Sequence, residues 1–140
     1  MQKNVAYFFS DVHLGVFPDK AVKNREEKLL ECLKSCAENA SHIVFIGDLF
    51  EFWYEYKYYV SREHFSLYRV LGDLVDAGVE IHYLMGNHDF ALEDFFEKTL
   101  GVKTSKNLIL ETQGKRLYLE HGDGLAQALA LLPYCVQDAR

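Results

Sequence analysis

Cysteine, proline and positive charge are all scarce in this 140-residue chain, and each scarcity removes a class of protein. The three cysteines, Cys32, Cys36 and Cys135, form neither a zinc-finger nor a redox spacing. Cys32 and Cys36 stand four apart in an expected helix, on one face, as reduced thiols of a cytoplasmic protein. Two prolines and nine glycines leave no low-complexity segment, internal repeat or linker. Basic residues number 15 against 21 acidic ones, for a net charge of −6. That argues against a nucleic-acid backbone as partner. An acidic protein still binds phosphate when metal ions supply the positive charge. No apolar run is long enough to span a bilayer. No signal peptide is visible, since MQKNVAYFFSDVH leads directly into a motif-bearing strand. The remainder, 49% hydrophobic and 26% charged, is ordinary for a soluble globular domain large enough to bury a core.

Apolar runs at Val5–Ser10, Ile43–Ile46 and Glu80–Met85 read as buried strands. Between them, residues from about Asn24 to Ala40 and from Arg62 to Ala77 carry helical periodicity, the second closed by Gly78. A shorter helix is expected over about Leu92–Leu100. This β-α-β-α-β order favours parallel pairing and an α/β layered fold. Leu108–Thr112 and Lys115–Glu120 flank Gln113-Gly114 and read as a hairpin.

Four polar motifs follow in order: Asp11-Val12-His13, Gly47-Asp48, Gly86-Asn87-His88-Asp89 and His121-Gly122-Asp123. The first three each end an apolar run, where a sheet can hold a polar side chain over a cleft. Asp, His and Asn gathered there make an oxygen-and-nitrogen cage for divalent ions. Asp11 and His13 alternate at a strand end and so are expected on one side. Each motif alone reads better as a strand-capping turn; the ordered set points to metal. His42, His64 and His82 are expected to be structural, and Asp123 to support His121.

SDVHLG, GDLFEFW, GNHDF and HGDGL resemble the calcineurin-like metallophosphoesterases. GDLFEFWYEYKYYV and HGDGL are similar to the UDP-2,3-diacylglucosamine hydrolase branch, which serves lipid A synthesis. The similarity runs from about Tyr7 to Leu125. It implies a layered α-β-β-α sandwich and two divalent metals. One would be held by Asp11, His13 and Asp48, the other by Asp48, Asn87 and His121. His88 would stand beside the phosphate as proton donor or charge stabiliser, with Asp89 orienting it. Such ligands suit manganese, iron or zinc better than calcium. Two ions of this kind activate a water and clamp phosphate oxygens. The implied partner is a phosphate-ester or lipid-nucleotide substrate, and the implied place is the cytoplasm or the periphery of the inner membrane. Some members of the branch carry Arg where this chain has His88, which keeps a general or nucleotide phosphodiesterase open.

Phe50, Phe52, Trp53, Tyr54, Tyr56, Tyr58 and Tyr59 crowd the segment after Asp48. They read either as a substrate wall, with Trp53 and Tyr54 as contacts, or as core at the start of a helix. Arg62, Lys57 and Lys20 could meet phosphate or simply be solvated.

The family usually adds two histidines from a late Gly-His-x-His motif, one for each metal, and none follows His121. Residues 1–125 therefore read as the N-terminal part of a phosphoesterase domain truncated within its second sheet, and 126–140 as an atypical apolar tail. Weakened metal binding and self-association through an exposed sheet edge are expected. A weakly metal-binding, inactive domain is the remaining alternative.

Overall fold

The computed structural model describes residues 3–15 and 20–123. In chain order the elements are β1 (Val5–Phe9), α1 (Lys20–Cys36), β2 (Ala40–Ile46), β3 (Trp53–Tyr54), α2 (Phe65–Asp76), β4 (Glu80–Leu84), β5 (Asp89–Ala91), β6 (Lys103–Ser105), β7 (Asn107–Thr112) and β8 (Lys115–Glu120). A 3₁₀ turn, Arg62–His64, leads into α2, and a π-helical turn, Phe95–Thr99, precedes β6.

Strands β1, β2, β4 and β6 form one parallel sheet in that order. Each crossover steps to the next position in the same direction. Right-handed crossovers then place α1, α2 and the π turn on a single face. Period-two alternation divides the side chains between the two faces. Ile43, Phe45, Ile81 and Tyr83 join the helical core with Leu29, Leu33, Leu67, Leu71 and Phe96. Val44 and Leu84 point the other way and meet Leu110 of the β7–β8 hairpin, with Ala6, Ile46, Leu108 and Leu119 around them. The result is three layers: helices, parallel sheet and hairpin. The outer helical layer of an α-β-β-α sandwich is not found among the described residues, and the 126–140 tail lies outside them.

Local sequence explains most boundaries. Helix α2 buries Leu67, Tyr68, Leu71 and Leu74 at helical spacing. It ends in a Schellman turn, with Val79 N–H donating to Leu74 C=O, Gly78 N–H to Val75 C=O, and Gly78 at φ +85°. Gln113 and Gly114 both take positive φ, as a two-residue hairpin turn requires.

Three boundaries differ from expectation. Helix α1 begins at Lys20 and ends at Cys36, because Ala40 already opens β2 and the chain must turn first. Strand β2 takes in Ser41, whose hydroxyl donates to Val5 C=O of the neighbouring strand. The helix expected over 92–100 is shortened to the π turn Phe95–Thr99, which follows β5. There the buried Glu55 carboxylate accepts from the backbone N–H of Glu93 and Phe95, a contact from 38 to 40 residues away that no local pattern reveals.

Candidate metal centre

The carboxyl ends of β1, β2, β4 and β8 meet at one edge of the molecule, and each delivers one motif. Asp11 and His13 do not continue strand alternation as expected. Strand β1 stops at Phe9, and Asp11 and His13 adopt left-handed conformations, φ +54° and +49°. Asp48 does the same at φ +52°. Non-glycine residues in this region cost about 1–3 kcal/mol each and collect at functional sites. Backbone pairing holds the geometry. Asp11, His13 and Leu14 N–H donate to the carbonyls of Gly47, Asp48 and Leu49, at 3.3, 3.0 and 2.9 Å. Arg25 from α1 clamps the loop by donating to the carbonyls of Val12 and His13.

Asp48 is the hub. It is only 2% exposed, and one carboxylate oxygen accepts His88 N–H at 2.9 Å. The other lies 3.2 Å from His121 Nε2 and 3.8 Å from His13 Nε2. His13 Nε2 is also 3.6 Å from an Asp11 oxygen. Asn87 Oδ1 lies 3.1 Å from His121 Nε2. Asp11, His13, Asp48, Asn87 and His121 therefore converge, and donor atoms of Asp11, Asp48 and His121 all fall within 4.8 Å of one another.

Two glycines make the convergence possible. A Cβ on Gly47, at φ +74°, would run into the His121 ring and come within 2.8 Å of Gly86 Cα. A Cβ on Gly86 would strike the Asp48 carboxylate. Both motifs need a residue without a side chain for ligands to close on the same space.

The donor chemistry fits divalent ions. His121 Nδ1 donates to Ile46 C=O at 2.8 Å, which leaves the Nε2 lone pair facing the Asp48 and Asn87 oxygens. Acceptors facing acceptors at a buried carboxylate call for a cation between them. Without one, a proton serves. Burial opposes a charge on His121, but the Ile46 carbonyl and the carboxylates of Asp48, Asp11 and Asp123 together raise its pKa. Asp123 thus acts on His121 through its charge. Donation from the Ser10 hydroxyl, with help from His121 and His13, holds the Asp11 carboxyl below its usual range.

His88 and Asp89 behave differently from each other. The Asp89 carboxylate does not bond the His88 ring, which corrects the orienting role expected for it. It is buried and accepts from the backbone N–H of Gly86 and Asp48, at 2.8 and 3.0 Å, and from the Tyr83 hydroxyl. Asp89 thereby braces two motifs against each other. Burial raises its pKa against the lowering effect of those three donors. His88 is oriented instead by Glu51, whose backbone carbonyl accepts from His88 Nδ1 and raises the ring's pKa. Sequence reasoning misses Glu51; an acid inside an aromatic run three residues past Asp48 is the available signal.

The aromatic segment divides. Trp53 is 4% exposed, stacks on Phe50 at 4.6 Å and packs on Phe96, so its ring is core and not substrate wall. Pairing of β3 with β5 turns it inward. Tyr54 is exposed beside Tyr56, and Phe52 packs on Phe90 at the surface. Arg62 is not at the metal centre either. It lines a separate groove of about 430 Å³ with Phe65, Tyr68 and Arg69, which contains none of the five converging residues. Lys57 lies over the Tyr58 ring, and the Lys20 side chain is outside the described residues. His42, His64 and His82 bond Ser41, Glu26 and Glu80, away from the centre.

A parallel α/β sheet carrying this donor set at its strand ends defines a metal-site α/β protein of the phosphoesterase type. The Calcineurin-like phosphoesterase family model matches residues 6–133, and the chain belongs to that family. Members of the family use divalent metals, and the ligand groups described above could hold them. Among curated relatives, the chain is 38% identical over 118 residues to a UDP-2,3-diacylglucosamine hydrolase of Porphyromonas gingivalis, covering 84% of this chain and 45% of that one. It is 34% identical over 122 residues to the enzyme of the same name from Neisseria gonorrhoeae, covering 86% and 49%. The chain thus spans about half the length of the curated relatives it matches. Two solved structures share the fold. One is a protein of unknown function from Aquifex aeolicus, with TM-score 0.52, 20% identity, and coverage of 82% of this chain and 59% of that one. The other is the nuclease MPE of Pseudomonas putida, with TM-score 0.50, 18% identity, and coverage of 76% and 50%. Among the described residues no helix is long and apolar enough to cross a membrane.

Proposed function

We propose that this chain carries the metal-holding residues of a hydrolase that cleaves a pyrophosphate or phosphodiester bond, with UDP-2,3-diacylglucosamine as substrate and manganese as the working metal. The observation that carries the reading is the convergence of Asp11, His13, Asp48, Asn87 and His121 on one space from four strand ends. The relatives' shared name supports the substrate.

When bound, two divalent ions supply Lewis-acid polarisation of phosphate oxygens and lower the pKa of water. The side chains do the rest. Asp48 places one carboxylate oxygen between His13 and His121, where it can serve both ion positions. Its other oxygen is occupied by His88 N–H, which fixes the carboxylate plane. Asp11 stays ionised because Ser10 donates to it. His88 donates its Nδ1–H to the Glu51 carbonyl, and that bond, with the nearby carboxylates of Asp48, Glu51 and Asp89, raises the ring's pKa. In its protonated form such a ring can neutralise phosphate or protonate a leaving group. The exposed Phe52, Phe90, Tyr54 and Tyr56 offer an apolar flank for acyl chains, consistent with a peripheral position at the cytoplasmic face of the inner membrane. Exposed Phe8, Ile109 and Tyr118 favour self-association.

The test is manganese-stimulated release of UMP from the lipid nucleotide, abolished by Asp48→Ala. His88, in place of the arginine found in some of the branch, supports a second reading as a general phosphodiesterase. Hydrolysis of a chromogenic diester with none of the lipid nucleotide selects that reading. Absence of metal-dependent hydrolysis of either sinks both and leaves a metal-binding domain.

A further inference from the structure

Glu51 touches both histidines whose rings meet edge to face across the mouth of the site, 4.9 Å apart. Its main chain is pinned: its N–H donates to Leu14 C=O at 2.9 Å, within the pairing that joins residues 47–51 to the loop of Asp11 and His13. One carboxylate oxygen lies 2.9 Å from His13 Nδ1, an ion-pair contact without the alignment of a hydrogen bond. The other is 3.8 Å from His88 Nδ1, while the Glu51 carbonyl accepts from that same nitrogen. On the opposite side of its ring, His13 presents Nε2 to Asp11 and Asp48.

A neutral imidazole offers a lone pair at Nε2 only when its one proton sits on Nδ1. A carboxylate beside Nδ1 favours that tautomer and limits ring rotation, as outer partners of ligand histidines generally do. We infer that Glu51 is a positioning residue that holds two rings at once, His13 through its carboxylate and His88 through its main-chain carbonyl, so that both Nε2 atoms face the reaction space. The inference rests on reading the site as a metal phosphoesterase and adds a residue to its support. His13, Glu51 and His88 also stand close enough to hold an ion themselves, and the experiment must separate that role from positioning.

The experiment compares wild type, Glu51→Ala and Glu51→Gln, all metal-free and ¹⁵N-labelled, by long-range ¹H–¹⁵N NMR at alkaline pH. Glu51 is 45% exposed and its main-chain bonds survive substitution, so the fold is expected to persist, as the backbone amide spectrum will show. The expected result is a Nδ1–H tautomer for both rings in wild type. In Glu51→Ala, His13 moves toward the Nε2–H form while His88, held by the unchanged carbonyl, does not. Glu51→Gln, which keeps an acceptor oxygen, retains most of the wild-type pattern. Manganese titration of the same samples gives ~10–100-fold weaker binding for Glu51→Ala with unchanged stoichiometry. An unaltered His13 tautomer in Glu51→Ala overturns the inference. So does loss of a whole ion from the stoichiometry, which would make Glu51 a ligand. If wild type takes up no manganese, the metal reading fails by itself, and the His13 tautomer still decides the role of Glu51.

Discussion

Replacing Gly47 by alanine tests how tightly the site is closed. Gly47 sits at φ +74°, and an added Cβ would enter the His121 ring and approach Gly86 Cα to 2.8 Å. A side chain in the left-handed region costs about 1–2 kcal/mol. Overpacking against backbone and a buried ring adds about 1–3 kcal/mol. Gly47→Ala should therefore lose roughly 2–5 kcal/mol, a large part of the ~5–15 kcal/mol that holds an ordinary domain together. Gly72 is the control. It lies in α2, where an added Cβ would meet nothing within 4 Å, so Gly72→Ala should gain about 0.5–1 kcal/mol. Urea unfolding followed by the fluorescence of the single tryptophan, Trp53, measures both. Manganese calorimetry on the folded Gly47→Ala protein should also show weaker binding, because His121 must move aside. Wild-type stability and wild-type affinity in Gly47→Ala would refute the close approach of the second and fourth motifs.

The split of the aromatic segment predicts opposite outcomes for neighbours. Trp53→Ala should cost about 3–5 kcal/mol as a buried ring, while Tyr54→Ala should change stability by less than about 0.5 kcal/mol; urea unfolding followed by circular dichroism reads both. The two cysteines of α1 should differ in reactivity. Burial, with the neighbouring Cys32, pushes the Cys36 thiol up from 9.0 to about 11. A raised thiol pKa keeps the unreactive neutral form to higher pH, so near pH 9 its thiolate fraction falls on the order of tenfold or more below an ordinary cysteine. Iodoacetamide labelling followed by peptide mass spectrometry should modify exposed Cys32 first, and Cys36 only at higher pH or on unfolding. Equal labelling of the pair in the folded protein would contradict the packing of α1.

The parallel framework was legible because its signals are local. VAYFF, the run ending at Ile46 and EIHYL are apolar stretches stopped by polar turns, and Leu67, Leu71 and Leu74 carry the period of a helix. The convergence of Asp11, His13, Asp48, Asn87 and His121 was legible for another reason: strand ends deliver polar residues to a common edge, and four motifs in order leave few other arrangements. What stayed hidden depends on distant partners. The left-handed turns at Asp11, His13 and Asp48 are imposed by backbone pairing between two loops that lie far apart in sequence. Strands β3 and β5 are two and three residues long and exist by pairing with each other, so neither shows periodicity. That pairing decides that Trp53 faces inward. The contacts of Asp89 and Glu51 stayed hidden for the same reason. Adjacency of Asp89 to His88 suggests contact, yet its carboxylate turns inward to Tyr83 and Asp48, and the main-chain carbonyl of Glu51, 37 residues earlier, takes the ring.

The central claim is that five side chains make one site for two divalent ions with Asp48 shared between them. Manganese titration by calorimetry, with paramagnetic resonance to detect coupling between neighbouring ions, tests it directly. Wild type should take up two ions per chain with a coupled signal, Asn87→Ala should keep one, and Asp48→Asn should weaken both. A single uncoupled ion in wild type, or two ions retained at wild-type affinity in Asp48→Asn, would contradict it.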